Sequence, residues 1–216
     1  LSGVRFDLLG DFGEIYQERI KNSIHNIFEN YLLVLDNFAV DNRGQTGIID
    51  PSDDLRQAGY NAQEIEEIKE LLTLDRTIEK KARNDFSTLI TEFASENPSI
   101  NIIFRPHPVL SLRYWEEKFS SYKNILIIEK GPIHAWIYGA VATIHSGCTT
   151  GLESYAAMRP TFDISALIHQ RKHAIKYSLI ARSQREIKNK ETFKKDLRAL
   201  WKEATLNTHG NQGGKL

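Results

Sequence analysis

The sequence predicts an α/β fold built on a doubly wound parallel sheet, and three observations lead to this prediction. Short apolar runs alternate with helical segments between residues 100 and 164. An earlier run, Tyr31-Leu-Leu-Val-Leu35, is continuously apolar, as in strands that are buried on both faces. The 216 residues are enough for one such domain. Strands that alternate with helices form parallel sheets with right-handed crossovers.

The segments before residue 100 supply one strand and mostly helix. Residues 13–30 have apolar side chains at three- and four-residue spacing, which predicts an amphipathic helix before the strand at 31–35. Residues 41–60 are rich in Asp, Asn, Gly and Ser, and this composition predicts a long loop. Residues 61–97 are strongly helical, and a Thr-Leu-Asp segment near residue 74 predicts a division into two helices.

The segments after residue 100 are short and regular. The pattern predicts strands at 100–104, 125–128, 141–144 and 161–164, and helices at 112–122, 133–140 and 149–158. A charged amphipathic segment at 183–207 predicts a closing helix, followed by a frayed tail at 207–216.

Composition excludes several classes of function. The 28 basic residues balance the 28 acidic ones, so no overall field favours nucleic acid as a partner. The single cysteine excludes an intrachain disulfide and a cysteine-rich zinc site, which favours a reducing compartment and the cytoplasm. No apolar run approaches the roughly 20 residues of a spanning helix. Because the chain begins with Leu1 rather than Met, we expect a fragment of a longer protein.

Unusual polar residues follow the predicted strands, where parallel sheets bind ligands. At His145-Ser-Gly-Cys-Thr-Thr150, small residues turn the chain into a helix. Unpaired N–H groups of the first helical turn bind phosphate, and hydroxyls add hydrogen bonds. The predicted phosphate-binding residues are Asn37, His145, Ser146, Gly147, Cys148, Thr149 and Thr150. The alternative interpretation is a simple N-cap on a buried helix.

Two further groups complete the predicted site. Arg105-Pro-His107-Pro108 combines a rigid backbone with a guanidinium for a phosphate and an imidazole for a leaving-group oxygen, so Arg105 and His107 are the predicted catalytic residues. A salt bridge and a packed histidine are the alternative. The predicted ribose and base contacts are Glu153, Lys130, Gly131 and His134; a solvent-facing glutamate is the alternative for Glu153.

Rival chemistries have weaker support. The histidines show no metal-ligand spacing, so no metal site is predicted. The Gly-x-Ser-x-Gly motif of hydrolases is absent around Ser146, and Cys148 with His145 is a weak candidate for a thiolate pair. Neither a P-loop nor Gly-x-Gly-x-x-Gly is present.

Two segments carry a family resemblance. Ile103-Phe-Arg-Pro-His-Pro108 and Ile144-His-Ser-Gly-Cys-Thr-Thr-Gly-Leu-Glu-Ser154 resemble the bacterial surface carbohydrate biosynthesis protein family, which looks like GT-B glycosyltransferases. The opening Ser2-Gly-Val-Arg-Phe-Asp7 resembles the segment that joins the two halves of these proteins. More distantly, the motifs are similar to those of capsule Kdo transferases, bacterial sialyltransferases and CDP-glycerol glycerophosphotransferases.

The resemblance implies the C-terminal, donor-binding half of a GT-B fold, with a Rossmann-like domain at 31–182. Residues 1–30 would then be an interdomain linker and helix, and residues 183–216 a C-terminal helix and tail. The implied function is binding of a nucleotide sugar, such as a CMP-sugar, for surface polysaccharide, lipopolysaccharide or capsule synthesis, with no obligatory cofactor. A glycan or lipid-linked acceptor would bind a missing N-terminal domain, and the full-length protein would be cytoplasmic or peripheral at the inner face of the cell membrane. The alternatives are an epimerase of the UDP-GlcNAc 2-epimerase type and a non-catalytic nucleotide-binding scaffold.

Overall fold

A computed structural model describes residues 29–38, 50–107, 111–168, 185–187 and 189–210 of the chain. Its strands are β1 Leu32–Leu35, β2 Ile102–Arg105, β3 Ile125–Ile127, β4 Ala142–His145, β5 Thr161–Asp163 and β6 Arg185–Glu186. Its helices are α1 Ser52–Gln57, α2 Ala62–Glu96, α3 Arg113–Phe119, α4 Ile133–Gly139, α5 Thr149–Ala156 and α6 Lys190–Gly210, with a 3-10 turn at Ser165–Leu167.

The six strands are parallel and lie in the order β3-β2-β1-β4-β5-β6. From β1 the sheet therefore extends through β2 and β3 on one side and through β4, β5 and β6 on the other. Val34 is level with Phe104 on β2 and with Ile144 on β4. The topological switch point lies between β1 and β4, where ligands of open parallel sheets bind. The predicted Rossmann-like doubly wound sheet is confirmed.

The central strand divides the apolar core between the two faces of the sheet. Leu32 and Val34 face a cluster that includes Phe86 of α2 and Trp115 of α3, whereas Leu33 and Leu35 belong to a second cluster with Trp136 of α4. All four β1 side chains are buried, because successive strand residues point to opposite faces and helices cover both. This arrangement explains the continuous apolar run.

Two predictions before residue 100 are wrong in detail. The loop predicted at 41–60 contains α1, whose start is stabilised by the Asp50 carboxylate, which accepts from both the backbone N–H and the hydroxyl of Ser52. The helix predicted to divide near residue 74 is continuous over Ala62–Glu96. Thr73 and Thr77 donate their hydroxyls to carbonyls one turn back, so these polar side chains are satisfied within the helix.

The end of the chain also differs from its prediction. The closing helix begins at Lys190 rather than at 183, because the Asn189 side chain accepts the N–H groups of Glu191 and Thr192. Strand β6 lies within the segment predicted as helix, and α6 continues to Gly210, into the predicted tail. The predicted helix at 13–30 lies outside the described residues, except for its last two positions. In the described ranges, no helix is long and apolar enough to cross a membrane.

Candidate functional site

Asn37 and Ser146 meet across the switch point. Asn37 follows β1 and Ser146 follows β4, and these strands are neighbours. The Asn37 Nδ2 donates to the Ser146 carbonyl oxygen at 3.1 Å, and the Ser146 Oγ donates to the Asn37 Oδ1 at 3.0 Å. Since a carbonyl only accepts, the orientation of the Asn37 amide is determined by its contacts. The Ser146 hydroxyl proton is therefore engaged by the protein itself.

His145 shapes the turn that follows Ser146. Its imidazole is fully buried, and the Nδ1 atom accepts the backbone N–H of Gly147 at 3.0 Å and of Cys148 at 3.3 Å. The proton of neutral His145 is therefore on Nε2. These two N–H groups point toward the imidazole rather than toward a ligand, so His145 holds the loop. Gly147 has a φ of 75°, a conformation that favours glycine.

The first turn of α5 carries the remaining predicted phosphate contacts. Thr149 is exposed and Thr150 is half-buried, directly beyond the loop held by His145. The first N–H groups of a helix lack intrahelical partners and carry partial positive charge. Here the N–H groups of Thr150 and Gly151 lie against the Cys148 thiol, and the Gly151 N–H also donates to the Cys148 carbonyl at 3.1 Å. Cys148 precedes them, and burial of its thiol raises its pKa to about 12.

Glu153 and His134 form a pair between α5 and α4. The Glu153 side chain is only 5% exposed, and its Oε2 lies 3.3 Å from the His134 Nε2. The buried position excludes the solvent-facing alternative for Glu153. Both residues belong to the predicted ribose and base contacts, and the structure brings them together.

Arg105 holds the loop between β3 and α4. Its Nη1 donates to the Lys130 carbonyl at 2.5 Å, and its Nη2 donates to the Gly131 carbonyl at 2.9 Å. The guanidinium carbon lies 5.8 Å from the ring centroid of Trp136, whose Nε1 also donates to the Lys130 carbonyl at 3.3 Å. Burial lowers the pKa of Arg105, while the Glu129 carboxylate acts in the opposite direction. The salt bridge considered for Arg105 is replaced by contacts to backbone carbonyls.

The other predicted contacts lie on the surface around this edge. His107, Lys130 and Gly131 are exposed, whereas Pro108 falls outside the described residues. Because β2 and β4 flank β1, and neighbouring strands lie about 4.8 Å apart, the ends of β2 and β4 are roughly 10 Å apart. The assignments of these residues to catalysis and binding stay predictions.

Two carboxylates at the same edge were missed by the sequence reasoning. Asp36 directly follows β1 and is buried; it accepts from the backbone N–H of Phe38 at 2.8 Å and from the Trp115 Nε1 at 2.6 Å. Asp163 ends β5 beside His145 and accepts from the Ser165 backbone N–H at 2.9 Å. Both follow apolar strand residues, so the rule that identified Asn37 also applies to them.

The rival chemistries gain no support from these contacts. The Ser146 hydroxyl donates to an amide rather than to an imidazole, and the His145 Nδ1 is occupied by backbone N–H groups. The raised pKa of Cys148 leaves its thiol protonated near neutral pH. Within the part of the chain that the structure describes, no group of three or more His, Cys, Asp or Glu side chains is placed to hold a metal ion.

Comparison with solved structures extends this picture of the fold. No protein-family model matches the sequence, and no curated protein matches it. Among solved structures, UDP-GlcNAc 2-epimerase from Methanocaldococcus jannaschii, in complex with UDP-GlcNAc and UDP, matches with a TM-score of 0.53 and 16% identity over 87% of this chain. The chain spans 43% of the length of that epimerase. The fold is Rossmann-like.

Two other matches are weaker. The wall teichoic acid polymerase TagF matches with a TM-score of 0.35 and 10% identity, over 92% of this chain and 43% of its own. KpsC from Thermosulfurimonas dismutans, a beta Kdo 2,4 transferase, matches with a TM-score of 0.35 and 11% identity, over 88% of this chain and 55% of its own.

Proposed function

We propose that this chain is the donor-binding half of a glycosyltransferase that uses a nucleotide-activated sugar to build a bacterial surface polysaccharide. The observation that carries the proposal is the junction at the switch point. There, Asn37 and Ser146 join the ends of β1 and β4 through two hydrogen bonds. The sequence resemblance supports the same half of a GT-B protein.

The diphosphate of the donor would lie against the start of α5. Gly147 and the hydroxylated residues Thr149 and Thr150 leave little side-chain bulk between the helical N–H groups and a ligand. His145 and the Asn37–Ser146 pair keep this loop in place before a ligand arrives. Preorganised donors of this kind stabilise the charge that develops on a departing phosphate.

The nucleoside would lie toward α4 and the loop before it. The Glu153 carboxylate offers acceptor oxygens, and its position one turn into α5 suits a ribose diol beside the phosphates. The exposed residues Lys130 and Gly131 border the same space. His107, exposed at the end of β2, is the group that we propose to meet the donor phosphate. The acceptor and the catalytic base belong to a part of the protein outside this chain.

A nucleotide-sugar epimerase is the second candidate. The observation that favours it is the structural match to the epimerase bound to UDP-GlcNAc and UDP. Epimerisation at a C–H centre of the sugar requires removal of that proton and delivery of a proton to the opposite face of the carbon. Both candidates share the donor site, and they differ in what happens to the sugar.

Thermal-shift titration of the 216-residue chain with CMP, CDP, UDP, GDP and their sugars tests the proposal. We expect at least one nucleotide to raise the Tm, because a ligand that binds only the folded state stabilises it. Absence of a shift for all of them at millimolar concentration contradicts the donor site. Deuterium incorporation into UDP-GlcNAc in D₂O would favour the epimerase over the glycosyltransferase, because the exchange requires proton abstraction from the sugar.

A further inference from the structure

Arg105, predicted as a catalytic phosphate contact, directs its guanidinium toward the backbone of another loop. Two of its nitrogens donate to consecutive carbonyls, those of Lys130 and Gly131, at 2.5 and 2.9 Å. Its Nε atom is shielded from solvent. A planar guanidinium that contacts two adjacent acceptors at once determines their spacing and direction, which a lysine ammonium does not.

The loop that Arg105 contacts contains a glycine and a proline, which contribute little to its stabilisation. Gly131 has a φ of 85°, and Pro132, the N-cap residue of α4, has no backbone N–H and caps the helix with no side-chain hydrogen bond. Trp136, one turn into α4, donates its indole N–H to the Lys130 carbonyl that Arg105 also contacts. Arg105 and Trp136 therefore fix the loop from β2 and from α4.

The same loop leads directly to the nucleoside side of the site. Helix α4 begins immediately after Pro132 and carries His134, whose Nε2 lies 3.3 Å from the buried Glu153 carboxylate. The Lys130–Gly131 loop is therefore joined to His134 by the chain, and His134 contacts Glu153. Each of the four predicted ribose and base contacts lies on the loop, on the helix it starts, or against that helix.

We infer that Arg105 is a positioning residue that fixes the nucleoside-binding half of the site through the Lys130 and Gly131 carbonyls. This inference rests on the proposed function, because it concerns how the same nucleotide is held. It separates the two residues of the Arg105-Pro-His107 motif: Arg105 acts through the loop, whereas His107 is exposed just beyond the end of β2.

Dissociation constants for uridine, UMP and UDP, and for cytidine, CMP and CDP, test the inference by NMR titration of the 216-residue chain. A positioning role predicts that Arg105→Lys and Arg105→Gln weaken the nucleoside, monophosphate and diphosphate by the same factor, about tenfold for the better-bound base. The two variants should bind each compound with equal affinity, because the charge that lysine retains does not restore the contact with two carbonyls. The ratio between the dissociation constants of the uridine compounds and those of the matching cytidine compounds should also move closer to one.

A phosphate contact predicts a different pattern and would overturn the inference. The substitutions would then leave the affinity for the nucleosides unchanged and lower the affinity for the diphosphate more than that for the monophosphate. The loss of affinity would also be smaller in Arg105→Lys than in Arg105→Gln. The matched control is Arg113, which is exposed and paired with Glu117, so Arg113→Lys and Arg113→Gln should leave all six constants unchanged. If the wild-type chain binds no member of either series, the proposed function fails, and the inference with it.

A second variant guards against loss of folding in the Arg105 substitutions. Trp136→Phe removes the other hydrogen bond to the Lys130 carbonyl and keeps an aromatic ring in the core. The positioning role predicts the same uniform loss across nucleoside, monophosphate and diphosphate, at about three- to fivefold. Unchanged nucleoside binding in a folded Trp136→Phe chain contradicts a loop that is fixed through this carbonyl.

Discussion

Asn37 and Ser146 are 109 positions apart in the chain and form a reciprocal pair at the switch point of the sheet, with amide-to-carbonyl and hydroxyl-to-amide hydrogen bonds of 3.1 and 3.0 Å. Each residue follows a strand whose side chains are buried, so the pair is held from both sides by rigid elements. The pair fixes the start of the loop that leads into α5. Its integrity is therefore expected to matter for both stability and ligand binding.

Removal of either partner should destabilise the chain. Ser146→Ala deletes one hydrogen bond and should lower the free energy of unfolding by about 1 kcal/mol, whereas Asn37→Ala deletes both and should cost about 2 kcal/mol. The double variant should cost little more than Asn37→Ala, because the two residues share their bonds. Urea denaturation measures all three. Ser120→Ala, at an exposed serine, is the control; an equal effect there contradicts the pair's importance.

Asp36 predicts a pH dependence of stability. Burial raises its pKa to about 7, against the opposing effects of the Phe38 N–H, the Trp115 indole and the Arg83 charge. The unfolded pKa is about 4, so the folded chain binds the proton more tightly and its free energy of unfolding falls as pH rises from about 4 to about 7. Relative to Asp36→Asn, the wild type should lose about 2 kcal/mol between pH 5 and pH 7.5.

Chemical denaturation across that pH range measures the difference between wild type and Asp36→Asn. Asp53→Asn is the control, because the Asp53 side chain is 85% exposed and its removal should give a curve parallel to that of the wild type. Parallel curves for Asp36→Asn as well would show that Asp36 is already ionised at pH 5.

Cys148 should be unreactive in the folded chain. Its pKa of about 12 leaves only about one thiol in ten thousand ionised at pH 8, and the thiolate is the reactive form. We expect alkylation by iodoacetamide at pH 8 to be about a thousandfold slower in buffer than in urea. The single cysteine makes the mass-spectrometric signal unambiguous. Rates within tenfold of each other would restore Cys148 as a candidate nucleophile.

Helix α6 should be part of the cooperative unit although it was predicted as a separate segment. Phe193 is fully buried between Phe93 of α2 and Phe162 of β5, with ring centroids 6.4 and 6.1 Å away. Phe193→Ala should lower the free energy of unfolding by about 3 to 4 kcal/mol in a single transition. The exposed neighbour Lys195 provides the control Lys195→Ala, with an effect below about 0.5 kcal/mol. A separate early transition in Phe193→Ala would show that α6 folds independently.

The parallel sheet was predictable because a strand that is buried on both faces is a continuous run of apolar residues in the sequence. The continuous apolar run at Tyr31–Leu35 locates the end of β1 just before Asn37, and the apolar run before His145 locates the end of β4. The predicted break near residue 74 failed because Thr73 and Thr77 satisfy their hydroxyls on the helix itself, which local composition does not show.

The roles of individual site residues were less predictable than their location. Arg105 contacts carbonyls that lie 25 and 26 positions further on, and a backbone carbonyl has no signature in the sequence. The same holds for His145, which accepts backbone N–H groups. Asp36 also lacks a local signal, because the Trp115 indole that it contacts lies 79 positions further on.

The proposal of a nucleotide diphosphate at the switch point is tested most directly by a ¹H–¹⁵N NMR titration of the chain with UDP and with CDP. At least one of them should produce saturable shifts, largest at the amides of Thr149, Thr150 and Gly151 and smaller at Gly131. Ser146→Ala should weaken the same response without relocating it. Saturable shifts confined to other parts of the sheet, or none with either nucleotide at millimolar concentration, would contradict the proposed site.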